Sequence, residues 1–104
     1  SGDAQNLDAS GCYVLPLLID LHIHGYAGAD VGSAEPAELE RMARALLMQG
    51  VGAFCPTTMT LPEARLAAVC RCTAAYCKEQ HPGAQAAGVH LEGPFLARER
   101  RLYG

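Results

Sequence analysis

Leu17-Leu18-Ile19-Asp20-Leu21-His22-Ile23-His24-Gly25 carries an apolar run into two histidines and a glycine. Upstream, Tyr13-Val14-Leu15-Pro16 is also apolar, but Pro16 has no N–H to offer a ladder, so a strand is expected to begin near Leu17. Side chains alternate along a strand, which places His22 and His24 on one face and turns Ile23 into packing. Asp20 falls on the same face in an unbroken strand. It would either steady an imidazole or serve as an ordinary strand-end hydrogen-bond partner. Two imidazoles on one face can grip a single ion, at about 2.0–2.1 Å for zinc. Alone, His-x-His also fits two satisfied or exposed histidines.

Working outward, Gly25 to Ser33 reads as a loop. Ser33 is an expected N-cap, with Pro36 in the first turn of a helix whose apolar stripe is Leu39, Met42, Ala43, Leu46 and Leu47; Gly50 ends it. Val51 to Cys55 reads as a short buried strand closed by Pro56, with Thr57, Thr58 and Thr60 in a following loop. Thr60-Leu61-Pro62-Glu63 has the form of a capping box before a second helix bearing Leu66, Val69, Cys70, Thr73, Ala74 and Cys77 on one stripe. Ala86 to Leu91 is the third expected strand, broken by Gly93-Pro94. Strand, helix, strand, helix, strand implies an α/β fold with parallel strands and right-handed crossovers. Ligands in such sheets collect beyond the carboxyl ends of the strands. Glu92 ends the third strand and Gly93-Pro94 turns the chain beside it, so its carboxylate is expected to reach across the top of the sheet toward His22 and His24. His90, two residues deeper on the same face, is expected to be structural or supporting. His81 beside Pro82 reads as a helix-end or loop histidine.

Composition narrows the classes. The chain has 104 residues, half of them hydrophobic and 18% charged, which is globular and the size of one domain or a piece of one. A net charge of -3 and the lack of a basic stripe argue against nucleic acid; Arg98, Arg100 and Arg101, interrupted by Glu99, read as a solvated tail. No stretch approaches the roughly 20 apolar residues of a membrane span, and the first residues lack a signal-peptide pattern. Five cysteines (Cys12, Cys55, Cys70, Cys72, Cys77) without Cys-x-x-Cys read as reduced thiols, and the expected location is cytoplasmic. No G-x-S-x-G, phosphate loop or G-x-G-x-x-G is present.

Three segments together carry a resemblance. Val14 to Gly25 resembles the first barrel strand of the amidohydrolase superfamily. Gly50-Val51-Gly52-Ala53-Phe54-Cys55-Pro56-Thr57-Thr58 resembles the second strand. Gly88-Val89-His90-Leu91-Glu92-Gly93-Pro94-Phe95-Leu96 is similar to the third-strand signature of the N-acetylglucosamine-6-phosphate deacetylase family. The resemblance spans about residues 8 to 101. It implies a partial TIM barrel of about three β-strands and two crossover helices. Residues 1–16 would be a remnant of a small β-domain and the loop leading into the barrel, and residues 17–104 the N-terminal part of the barrel. It further implies a divalent metal ion, zinc or similar, with Glu92 as a principal ligand and His22 and His24 as a second metal position. The implied substrate is N-acetyl-D-glucosamine 6-phosphate, deacetylated in amino-sugar catabolism by metal-activated water. Two further histidines and a proton-handling Asp would come from later strands, so the chain is expected to be an N-terminal fragment, inactive alone. In the family a Gly usually follows the residue matching Pro16; Leu17 stands there instead, a place where the start of the strand could be strained. The match also fails at Leu102-Tyr103-Gly104, so no substrate-binding residue is carried over. The alternatives are another hydrolase of the superfamily, such as a dihydroorotase or a dipeptidase, and a non-catalytic metal-binding domain. An open sheet would make that domain prone to self-associate into a homo-oligomer.

Overall fold

The computed structural model describes residues 4–97. The Arg98–Arg101 cluster and the departure at Leu102 to Gly104 lie outside the described residues. The chain forms β1 (Leu18–Ile23), a short hairpin of β2 (Gly25–Tyr26) and β3 (Ala29–Asp30), a single 3-10 turn (Val31–Ser33), α1 (Pro36–Met48), β4 (Val51–Thr58), α2 (Glu63–Tyr76), β5 (Gln85–Ala86) and β6 (His90–Leu91). The mixed α/β class and the parallel sheet expected from the alternating pattern are both present. β4 is central, with β1 parallel on one side and β5 and β6 parallel to successive parts of it. The core gathers where Phe54 of β4 meets Leu39, Met42, Ala43 and Leu46 of α1 and Val69 and Tyr76 of α2.

Several boundaries differ from the sequence expectation. β1 starts at Leu18, one residue after the expected Leu17, and ends at Ile23, so His22 lies within the strand and His24 just past it. β4 runs through Pro56 to Thr58 and draws in two threonines expected in a loop. A proline in a central strand is tolerated at a bulge, and one lies here. Asp20 pairs with Phe54 and Ile23 with Pro56, which leaves Leu21 and His22 on β1 opposite Cys55 alone on β4. The third strand is two short pieces rather than one run.

Neither helix uses its expected cap. Glu35 is the N-cap residue of α1 and gives no side-chain cap; the Ser33 hydroxyl instead donates to the Asp30 carbonyl and accepts from the Glu35 N–H. α2 starts at Glu63 behind Pro62, and Thr60 donates to the Gly93 carbonyl, 33 residues away. The loop expected after Gly25 contains a two-residue hairpin whose turn, Ala27-Gly28, has φ of 53° and 76°, positive at both positions as right-twisted hairpins favour.

Leu17 is not strained in the way a glycine position would imply, because its φ is not positive. Its side chain fills the space that Gly52 leaves open: a Cβ on Gly52 would come within 2.7 Å of Leu17 Cβ. The bulk absent from one strand is present on the other.

Candidate metal centre

The carboxyl ends of β1 and β6 bring together the three residues that the sequence marks. His22 Nε2 lies 2.7 Å and His24 Nε2 3.0 Å from Glu92 Oε2, and the two Nε2 atoms are 3.2 Å apart. Among the described residues this is the one group of three or more metal-capable side chains whose ligand atoms converge.

The bulge makes this convergence possible. It inserts a residue between Asp20 and Ile23 and so breaks strict alternation over that stretch. The Asp20 carboxylate accepts the His22 backbone N–H at 3.0 Å and so acts on the backbone instead of an imidazole. His24, just past β1, is fixed from both sides. Its carbonyl accepts the Val31 N–H at 2.9 Å, and its ring Nδ1 lies 3.2 Å from the Thr57 carbonyl. Because a carbonyl only accepts, that contact requires a proton on Nδ1. In the neutral ring, Nε2 then faces Glu92 Oε2 with a bare lone pair. Oε2 is itself buried and has no hydrogen bond of good geometry despite its two short contacts. Acceptor facing acceptor across 3 Å, inside a cluster of two imidazoles and a carboxylate, is the arrangement a cation resolves.

The spacing supports that. Ligands about 2.0–2.1 Å from a tetrahedral zinc stand about 3.3 Å apart. Separations of 2.7, 3.0 and 3.2 Å would need to open by about 0.6, 0.3 and 0.1 Å. The donor set of two imidazoles and a carboxylate suits zinc or a similar divalent ion, and the Nδ1–H···O=C bond of His24 is the usual support of a metal-bound imidazole.

Glu92 is held by residues that pattern reading placed in a loop. Its N–H donates to Thr58 Oγ1 at 3.3 Å, and the next carbonyl, that of Gly93, accepts from Thr60 at 3.1 Å. Thr57 and Thr58 are almost wholly buried, at 1% and 0% exposure. Their run of hydroxyls beside the Glu92 turn was the available signal. His90 behaves as a supporting residue: its Nδ1 is 3.0 Å from the Leu21 carbonyl, and its ring packs edge-on against His22 at 4.6 Å. His81 lies in the loop after α2, stacked on Tyr76 with Nε2 3.1 Å from the Tyr76 carbonyl. All five cysteines are free, and burial pushes the Cys72 thiol up from its ordinary pKa, so it stays protonated at neutral pH. No helix among the described residues is long and apolar enough to cross a membrane.

Fold and site together define an α/β protein with a His, His, Glu cluster at the carboxyl ends of parallel strands. No protein-family model matches the chain. Individual proteins do. It is 38% identical over 86 residues to N-acetylgalactosamine-6-phosphate deacetylase of Escherichia coli O157:H7, covering 83% of this chain and 23% of that protein. It is 38% identical over 100 residues to the bovine N-acetylglucosamine-6-phosphate deacetylase, covering 93% and 24%. The crystal structure of N-acetylglucosamine-6-phosphate deacetylase from Thermotoga maritima superposes with a TM-score of 0.70 at 34% identity, over 81% of this chain and 22% of that one. The chain is thus a homologue, in sequence and backbone, of one segment of the N-acetylglucosamine-6-phosphate deacetylases, and it spans about a quarter of the length of the curated relatives it matches.

Proposed function

We propose that this chain forms the opening part of a metal-dependent amino-sugar-phosphate deacetylase, with His22, His24 and Glu92 holding a divalent ion, zinc or similar. The observation that carries the reading is the unsatisfied Glu92 Oε2 set against two imidazole nitrogens, one of them with its other nitrogen already committed to the Thr57 carbonyl. Such an ion, when bound, polarises an acetamide carbonyl and supplies hydroxide at neutral pH. The chain's own residues hold it and orient the cluster. His24 is locked by Thr57, and Glu92 is seated by Thr58.

In this proposal residues 17–104 supply about the first three strands of a TIM barrel and its first two crossover helices, and residues 1–16 derive from a small β-domain and the loop leading into the barrel. The exposed Tyr13, Val14 and Leu15, which precede β1, fit that division. The proposed reaction is release of acetate from N-acetyl-D-glucosamine 6-phosphate in the cytoplasm. The bovine relative and the Thermotoga structure are named for that substrate, while the E. coli O157:H7 relative is named for its galactosamine counterpart. With three strand positions among the described residues where a barrel has eight, the proposal assigns this stretch by itself no deacetylase turnover. It also self-associates through its exposed β1 edge. Cobalt(II) titration tests the site: the chain should develop a visible absorption band that Glu92→Gln abolishes. Equal bands from both would remove Glu92 from the site, and with it this reading.

A further inference from the structure

The bulge in β1 is the feature that converts an ordinary strand end into converging ligands, and two side chains from across the sheet hold it. Between Asp20 and Ile23 two residues of β1, Leu21 and His22, stand against Cys55 alone on β4. Within that interval the Leu21 carbonyl is met by His90 Nδ1 at 3.0 Å, and the Ile23 N–H donates to Thr57 Oγ1 at 2.9 Å. The Thr57 hydroxyl proton is itself spent on the Cys55 carbonyl at 2.9 Å, which leaves its oxygen free to accept. β6 and β1 lie on opposite sides of β4, so His90 reaches over the central strand to make its contact. His22 lies between the two braced positions, and the His90 ring also packs on it edge-on.

We infer that His90 and Thr57 are positioning residues for the metal centre, clamping the β1 bulge so that His22 and His24 meet Glu92. The inference rests on the metal reading proposed above. Neither residue is among the three ligands. His90 acts through the Leu21 backbone and Thr57 through the Ile23 backbone, one on each side of His22. Thr57 also carries the carbonyl that orients His24, so a single residue of the central strand fixes both the bulge and one imidazole. Supports of this kind commonly alter metal affinity by about 10–100-fold when removed.

The test measures cobalt(II) and zinc(II) affinity of the whole 104-residue chain by competition with a chromophoric chelator. His90→Phe keeps a ring but loses the donor; Thr57→Val keeps the shape but loses the hydroxyl. Each should weaken binding by about 10-fold or more. His90→Asn, which places an N–H near the position of Nδ1, and Thr57→Ser should stay within about threefold of wild type, and circular dichroism of the metal-free chains should be unchanged across the set. Wild-type affinity in both His90→Phe and Thr57→Val, with binding still lost in Glu92→Gln, overturns the clamp and leaves the metal site standing. Equal weakening in Asn and Phe, or in Ser and Val, also overturns it, since the donor and acceptor atoms would then be irrelevant. No binding by the wild-type chain overturns the metal reading itself.

Discussion

At the scale of single residues the account depends on where a few protons sit. His24 can be a ligand through Nε2 because Nδ1 is taken by the Thr57 carbonyl. Nitrogen-15 chemical shifts should therefore report the Nδ1–H tautomer for His24 in the metal-free chain at neutral pH; an Nε2–H ring would contradict the site as drawn. Glycine at 93 is required for two separate reasons: its φ is +57°, and a Cβ there would come within 2.8 Å of Thr60 Oγ1, the hydroxyl that ties the Glu92 turn to the loop after β4. Gly93→Ala is expected to cost about 1 kcal/mol or more in chemical denaturation and to weaken metal binding with it. An unchanged midpoint would show that the turn adapts freely. The convergence of His22, His24 and Glu92 was legible in sequence because they are polar groups at the ends of apolar runs. Thr57, Thr58 and the role of Asp20 were not. Their parts depend on a bulge, and no periodicity in the chain announces one.

At the scale of elements, alternation of apolar strands with amphipathic helices was enough to give the parallel α/β order, since successive parallel strands need a crossover of helix length between them. Boundaries were less legible because they are decided across the sheet. Pro56 looked like a stop but lies where the β1 bulge interrupts the ladder, and Ser33 and Thr60 looked like caps but serve other backbone groups. The hairpin after His24 is secured by Glu38 of α1, whose carboxylate accepts the Asp30 N–H at 2.8 Å; that bond, and the Ser33 hydroxyl after it, hold its pKa below the ordinary value. A lowered folded value means this contribution is present above the unfolded carboxylate pKa and is lost as pH falls through the folded one. Glu38→Gln should flatten that part of the acid-unfolding curve; an identical acid profile would remove Glu38 from the account. Phe54, fully buried where β4 meets both helices, is the core's keystone. Phe54→Ala should lose about 3–5 kcal/mol, enough to unfold a chain of ordinary marginal stability, as a lost cooperative melt would show.

For the whole molecule, the uncovered side of the sheet matters most. Leu18, Ile19 and Leu21 on β1 are 66%, 64% and 66% exposed, on a strand whose outer edge has no partner among the described residues. Apolar side chains on a free edge favour association. Sedimentation velocity should show concentration-dependent self-association that Leu18→Lys with Ile19→Lys suppresses, and a monomer at every concentration would contradict it. Metal should also stabilise the whole fold, since it ties β1 to β6 across β4: at 100 times the dissociation constant, linkage gives about 2.7 kcal/mol, reversed by a chelator. The proposed ligands have one rival set of donors in the chain's five free thiols. X-ray absorption at the zinc edge of the loaded chain decides between them. Ligation by His22, His24 and Glu92 gives nitrogen and oxygen neighbours alone at about 2.0–2.1 Å, with imidazole scattering beyond them; sulfur at about 2.3 Å would rule that ligand set out.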